Sequence, residues 1–136
     1  MAQSTMFPTM RYDDAARMIE WLCEAFGFER QFVAPGDDGT VAHAQLRFGN
    51  GMVMLGSARD DEWGELVKPV RARGGATGSV YAVITDVDAH CARARAAGAE
   101  IVYGPRDTDY GSREYCARDP EGQLWSFGTY DPWVAS

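Results

Sequence analysis

His43, Gln45 and Arg47 stand two residues apart in VAHAQLRFG (41–49). On an extended chain all three project from one face, while Ala42, Ala44, Leu46 and Phe48 project from the other. An imidazole, a carboxamide and a guanidinium side by side can orient a polar ligand or handle a proton. A second group of reactive types lies in DYGSREYCARDPEGQLWSFGTYD (109–131), which holds Asp109, Tyr110, Arg113, Glu114, Cys116 and Ser126. Cys116 and His43 are the types of a nucleophile and its base, yet nothing in the sequence places them together, and a buried structural thiol is the ordinary reading. Glu114 and Asp109 beside Tyr110 are the types of an acid and a base, although a carboxylate pair on a hairpin is ordinarily solvated. The other histidine, His90, falls on a helical stretch and reads as structural. One histidine on a strand does not make a two-His-one-carboxylate iron site. No P-loop and no G-x-G-x-x-G opening a helix is present, so nucleotide binding has no support. No catalytic residue is assigned.

Elements must hold these groups in place. MFPTMRY (6–12) reads as a strand, with Pro8 near its start. Asp13 or Asp14 caps a helix whose Ala15, Ile19, Leu22 and Phe26 share one face, and Gly27 closes it. Strands follow at 28–34 and 41–49. Asn50-Gly51 is a two-residue hairpin signal that returns the chain as MVMLGSA (52–58). After a polar, Gly-rich connector (59–78) the pattern repeats: a strand at 79–85, a cap at Asp86 or Asp88, a helix with Val87, Cys91 and Ala94 on one face, closure at Gly98, and a strand at 100–104. A loop (105–112) leads into a hairpin that turns at Asp119-Pro120-Glu121-Gly122, where Pro120 fixes φ and Gly122 takes the positive φ. Ala15/Ile19/Leu22 map onto Val87/Cys91/Ala94 at an offset of 72. The chain is an internal duplication of a βαβββ unit.

At 136 residues the chain has one domain's length, and 46% apolar and 24% charged residues are ordinary for a globular protein. A net charge of −7 with one lysine, Lys68, argues against nucleic acid. An acidic surface attracts cations, or simply keeps the protein soluble. No apolar run approaches the ~18 residues of a membrane span, and MAQSTMFPTMRY has no signal-peptide pattern. Cys23, Cys91 and Cys116 are widely spaced and odd in number, as expected of reduced thiols in a cytoplasmic protein.

The two βαβββ units, AFGFE after the first helix, AAGAEIVYGP after the second and the closing hairpin resemble the vicinal oxygen chelate superfamily, which includes glyoxalase I, extradiol dioxygenases and bleomycin-resistance proteins. The resemblance spans about residues 6–131. It implies an α+β fold: two tandem βαβββ modules forming curled mixed sheets around a concave cavity, helices on the convex side. It further implies one glyoxalase-like domain (module one about 6–58, module two about 79–131) and a homodimer that completes the cavity. Metal-dependent members place His, Gln or Glu at four strand positions, which here hold Phe7, Met54, Ser79 and Ser126. Their neighbours Pro8, Val53, Leu55, Val80, Trp125 and Phe127 are no better donors. The expectation is therefore no metal and no cofactor.

Strand alternation puts Phe7, Thr9, Arg11, His43, Gln45, Met54, Ser79, Tyr81 and Ser126 on the concave side as ligand-binding residues. The family's closing loop corresponds to 106–113, which makes Tyr110 and Arg113 gate residues, and Trp63 in the connector is placed to cap the mouth. Trp21, Trp125 and Phe127 are expected against the helices. The leading expectation is a metal-free protein that sequesters a planar or cationic small molecule. The alternative is a lyase, isomerase or dioxygenase-type enzyme with a displaced metal site, worked by Arg11, His43, Tyr110 and Glu114. A third reading is an accessory module with a vestigial cavity.

Overall fold

The computed structural model describes residues 3–134. Module one runs β1 (Thr9–Tyr12), α1 (Ala15–Phe26), β2 (Glu29–Pro35), β3 (Val41–Phe48) and β4 (Gly51–Ser57). A short helix α2 (Glu62–Leu66) lies in the connector. Module two runs β5 (Ser79–Val83), α3 (Val87–Ala96), β6 (Glu100–Asp107), β7 (Arg113–Arg118) and β8 (Leu124–Gly128). Each module is a four-stranded mixed sheet, ordered β1-β4-β3-β2 and β5-β8-β7-β6, with the first and last strands parallel. This is the expected α+β fold of two βαβββ units. The duplication extends to strand register, since Thr9 pairs with Met54 as Tyr81 pairs with Ser126, again 72 residues on.

Helices α1 and α3 start where the residue types predict, and α1 also stops there. Asp14 Oδ1 accepts from Arg17 N and Asp86 Oδ1 from Ala89 N, which settles both capping choices. Gly27 ends α1 at φ 87°, a left-handed conformation that an L side chain rarely takes. The buried face of α1 comprises Ala15, Met18, Ile19, Trp21, Leu22, Ala25 and Phe26.

One hydrophobic core serves both modules. Phe26 and Phe28 of module one pack on Trp125, with ring centroids 5.5 Å apart in each case, and Phe26 lies 4.7 Å from Phe127. Core-facing Ala44, Leu46, Val53 and Leu55 of the first sheet join Tyr115, Ala117, Trp125 and Phe127 of the second in the same cluster, with α1 and α3. Both sheets therefore turn their helix-covered faces inward, and their concave faces look away from the shared core. Each such fully buried large side chain contributes about 1.5–3 kcal/mol.

Polar groups cross the same seam. Trp21 Nε1 donates to Ala97 O at 2.7 Å, and Arg93 donates to Glu24 O and Cys23 O. His90 is held at both nitrogens: Nε2 donates to Phe26 O at 2.7 Å, leaving Nδ1 to accept from Tyr115 OH at 2.6 Å. This is a structural histidine, as its helical position predicted. Burial pushes its pKa below the ordinary histidine value, so the unfolded chain binds a proton that the folded chain resists. Its contribution to stability is then full above about pH 6.5 and is lost as pH falls below it. The melting temperature should drop between pH 7.5 and 5.5, and His90→Gln should flatten that slope in calorimetry. An unchanged slope would remove His90 from the account.

Several boundaries differ from those expected. The first strand begins at Thr9, after Pro8, whose missing N–H cannot join a ladder. The connector is not featureless, because Asp61 Oδ1 accepts from Gly64 N and starts α2. A 3-10 turn follows at Val70–Arg73. β6 continues through Pro105 to Asp107, three residues beyond its expected end, because it is an edge strand where a proline costs no ladder bond. The α3 C-cap falls at Ala97, one residue before the positive-φ Gly98.

Candidate functional site

The concave face of module one is built by β1, β3 and β4. Thr9 and Arg11 of β1, His43, Gln45 and Arg47 of β3, and Met52 and Met54 of β4 line it. Alternation makes this face legible, because the intervening Met10, Ala44, Leu46, Val53 and Leu55 are buried in the core. His43 Nε2 donates to Gln45 Oε1 at 2.9 Å, which fixes both side chains on the face. One cavity of about 520 Å³ includes Phe7, Gln31, Gln45, Arg47 and Met54 in its walls. A second, of about 250 Å³, is bounded by Thr9, Arg11, His43, Met54, Arg59 and Trp63. Trp63 thus stands at this cavity from α2, where the connector reading places it.

The module-two face carries Ser79 and Tyr81 of β5, Glu114 and Cys116 of β7, and Ser126 and Gly128 of β8. Four tyrosines gather over it. Tyr81 OH donates to Tyr130 O at 2.8 Å, Tyr110 meets Tyr130 edge-on at 5.9 Å, and Tyr110 OH donates to Glu114 Oε1 at 2.9 Å. The hydrogen bond to Glu114 pushes the Tyr110 phenol up, while burial does the same to Tyr81. Tyr103 lies under the Arg106 guanidinium at 3.8 Å. The tyrosines present flat surfaces to solvent, Tyr110 being 59% exposed.

Not all the expected residues come together. Arg113 does not stand with Tyr110. Its Nε and Nη2 donate to Asp88 on α3 and its Nη1 to Asp107, so it ties β7 to the helix side, and both carboxylates push its pKa up. Arg11 and His43 lie on one concave face and Tyr110 and Glu114 on the other, so the four groups of the enzyme alternative do not meet within one chain. Cys116 and His43 are divided in the same way. Trp125 and Phe127 are buried toward the helices, as expected.

Sequence alternation misses Phe32, Tyr103 and Arg59. Counting by two from Phe28 sends Phe32 toward the helices, but a bulge between Arg30 and Phe32 resets the alternation. Arg30 pairs with core-facing Leu46, whereas Phe32 pairs with cavity-facing Gln45. The equivalent bulge in module two moves Tyr103 opposite Cys116, while Ile101 stays opposite Ala117. No turn residue marks either bulge, so only the duplicated pattern itself offers a signal.

The metal positions fail a fit test on donor chemistry. Phe7, Met54, Ser79 and Ser126 supply one thioether and two hydroxyls, a poor set for a divalent cation. Among the described residues no three His, Cys, Asp or Glu side chains gather as a metal site. The side chains at these four positions therefore do not suit the divalent ion that metal-dependent members hold there.

With two βαβββ modules, concave faces and this residue set in hand, the family follows. The chain belongs to the Glyoxalase/Bleomycin resistance protein/Dioxygenase superfamily, whose profile matches residues 5–127. It is similar to TioX from Micromonospora sp. ML1, at 35% identity over 98% of this chain and 99% of that one, with a TM-score of 0.73. It shares the fold of TnmS3, described as an antibiotic binding protein from Streptomyces sp. CB03234, at 22% identity, 93% and 96% coverage and a TM-score of 0.66. It is also 33% identical over 126 residues to the "uncharacterized protein Rv0887c" of Mycobacterium tuberculosis, covering 93% of this chain and 74% of that protein. No helix among the described residues is long and apolar enough to cross a membrane.

Proposed function

We propose that this protein is a metal-free, small-molecule sequestering protein of the cytoplasm. A homodimer holds a flat ligand between the module-one face of one copy and the module-two face of the other. The observation that carries this reading is the outward direction of two aromatic, partly polar concave faces. Phe7 and Phe32 stand exposed on one, and Tyr81, Tyr103 and Tyr110 on the other. Apolar walls with a few fixing polar groups are the usual make-up of a small-molecule pocket, and each face alone is half of one. TnmS3, which has this fold, is an antibiotic binding protein by its description. That description is in keeping with a binding role for this fold.

Light scattering should report a dimer, and a panel of planar aromatic compounds should raise the melting temperature by mass action. Two blocking variants test the shared site. Gln45→Trp fills the first face and Ser126→Trp the second, and each alone should abolish binding. Mixed by co-refolding, they should regain it, since one cavity of the mixed dimer then has both faces intact. A mixture that stays inactive would remove the cross-chain cavity, and a panel with no effect would remove the pocket reading itself.

A further inference from the structure

The charge at one end of the module-one face does not follow the net charge of the chain. Arg11 reaches across Gly56, whose missing side chain makes the passage: a Cβ there would lie 2.2 Å from Arg11 Nη1. Nη1 then donates to Ser57 O at 3.2 Å and Ala42 O at 3.4 Å, both uncharged acceptors. Among the described residues no carboxylate stands within ion-pair distance of Arg11. Arg59 enters the same cavity of about 250 Å³ from the other side, oriented by Asp61, which accepts from its Nε at 2.9 Å and also from Nη2. Two guanidinium groups therefore share one small cavity with a single carboxylate, on a chain of net charge −7. Burial pushes the Arg11 pKa down, the Arg59 charge adds to that, and Asp61 opposes it.

The fold does not require this. The duplicated module places Val83 opposite Gly128 where module one places Arg11 opposite Gly56. A valine serves the strand there, and the opposing glycine recurs without any arginine to pass over it. Guanidinium groups are the side chains suited to carboxylate, sulfate and phosphate oxygens.

We propose that the cavity between Arg11 and Arg59 is an anion subsite, so that the sequestered molecule pairs its flat portion with an acidic group. The acid lies between the two guanidinium groups, with Trp63 at the mouth and His43 alongside. This rests on the pocket reading above and narrows its ligand class. It also reverses the preference for cations that the overall acidity suggests, because the local charge at the cavity, not the global sum, meets the ligand.

The test is calorimetric titration of the full-length protein at fixed ionic strength with naphthoate, the isosteric neutral naphthamide and inorganic phosphate. Naphthoate should bind about tenfold or more tightly than naphthamide, as a charged hydrogen-bonded pair predicts. The ratio should fall to about one in Arg11→Gln, by loss of the charged pair. Since Arg11 also ties strands together, Arg59→Gln provides a second variant at an exposed position, with the ratio reduced in the same direction. Phosphate competing with naphthoate but not with naphthamide would support the subsite, and would show that it accepts a free oxyanion as well as a ligand-borne one. Equal affinity for naphthoate and naphthamide in the natural protein would overturn the anion subsite and leave the pocket standing. Binding of neither, with no phosphate signal, would overturn both.

Discussion

Asp119→Ala should lower the melting temperature by roughly 10–15 °C, the largest stability effect expected of any single polar substitution in this chain. The side chain lies in the hairpin turn of module two and is 4% exposed. Its Oδ2 accepts from Tyr12 OH at 2.6 Å and Trp125 Nε1 at 3.0 Å, and its Oδ1 from the backbone N–H of Glu121 at 2.9 Å and Gln123 at 3.0 Å. Alanine removes the acceptor of four donors at once. An orphaned buried donor costs about 1–3 kcal/mol, and relaxation or water will satisfy some of the four, so about 3–5 kcal/mol is expected in all. Asp119→Asn retains one accepting oxygen and should lose about half as much, because its NH2 must face one donor pair. Burial raises the Asp119 pKa in spite of these bonds. A carboxyl with a raised folded pKa holds its proton more readily when folded, so its contribution does not weaken on acidification. The acid sensitivity assigned to His90 is therefore not mimicked by a parallel loss at Asp119. Thermal unfolding of the two variants by circular dichroism checks the expected fall, and a drop of only a degree or two for alanine would mean the turn is solvated.

That network also shows what the sequence carries and what it does not. Asp-Pro-Glu-Gly announces a turn, and the turn is there, with Gly122 at φ 93°. Local chemistry gives no hint that the same turn fastens module two to module one. Glu121 accepts from the backbone N–H of Asp13 at 2.6 Å and Asp14 at 2.8 Å, more than a hundred residues away, and holds the start of α1. Periodicity reports which residues face a core, so Ala15, Ile19, Leu22 and Phe26, and the His43/Gln45/Arg47 face, are legible. It does not report which second element supplies the other side of that core. The same limit applies to the site. Counting by two works along β3, which pairs with β4 without a bulge. It fails along β2 and β6, whose bulges invert Phe32 and Tyr103. Arg113 falls on the wrong side of the expected gate for a related reason. The expected gate loop runs through 113, whereas β7 begins there and sends that side chain to Asp88.

Gly128→Val should weaken binding of a flat ligand at least about tenfold while the protein still folds, a separation that few substitutions on this face would produce. Gly128 does not have a positive φ, so its backbone accepts a side chain. A Cβ at this position would lie 2.6 Å from Glu114 Cγ and 2.7 Å from the Tyr81 hydroxyl. Both atoms belong to side chains rather than backbone, but Glu114 must move from its Cγ outward and the Tyr81 ring must move as a whole, so the cost to stability should be about 1–3 kcal/mol, roughly 3–10 °C in melting temperature. Swinging aside is what the site cannot tolerate. Tyr81 would release Tyr130 O, and Glu114 would release the Tyr110 hydroxyl, so the two bonds that set the aromatic surfaces would go together. Affinity for naphthamide should fall at least about tenfold, since each lost stacking or hydrogen-bonded contact costs on the order of 1 kcal/mol. Gly56→Ala is the instructive contrast. Its Cβ would meet Ala42 O at 2.9 Å as well as Arg11 Nη1, and a backbone oxygen inside a paired strand cannot move away. That variant should lose stability and binding together. Native-like melting with undiminished naphthamide binding in Gly128→Val would mean that the ligand never touches the tyrosine-lined face. The cavity would then be formed by module one alone.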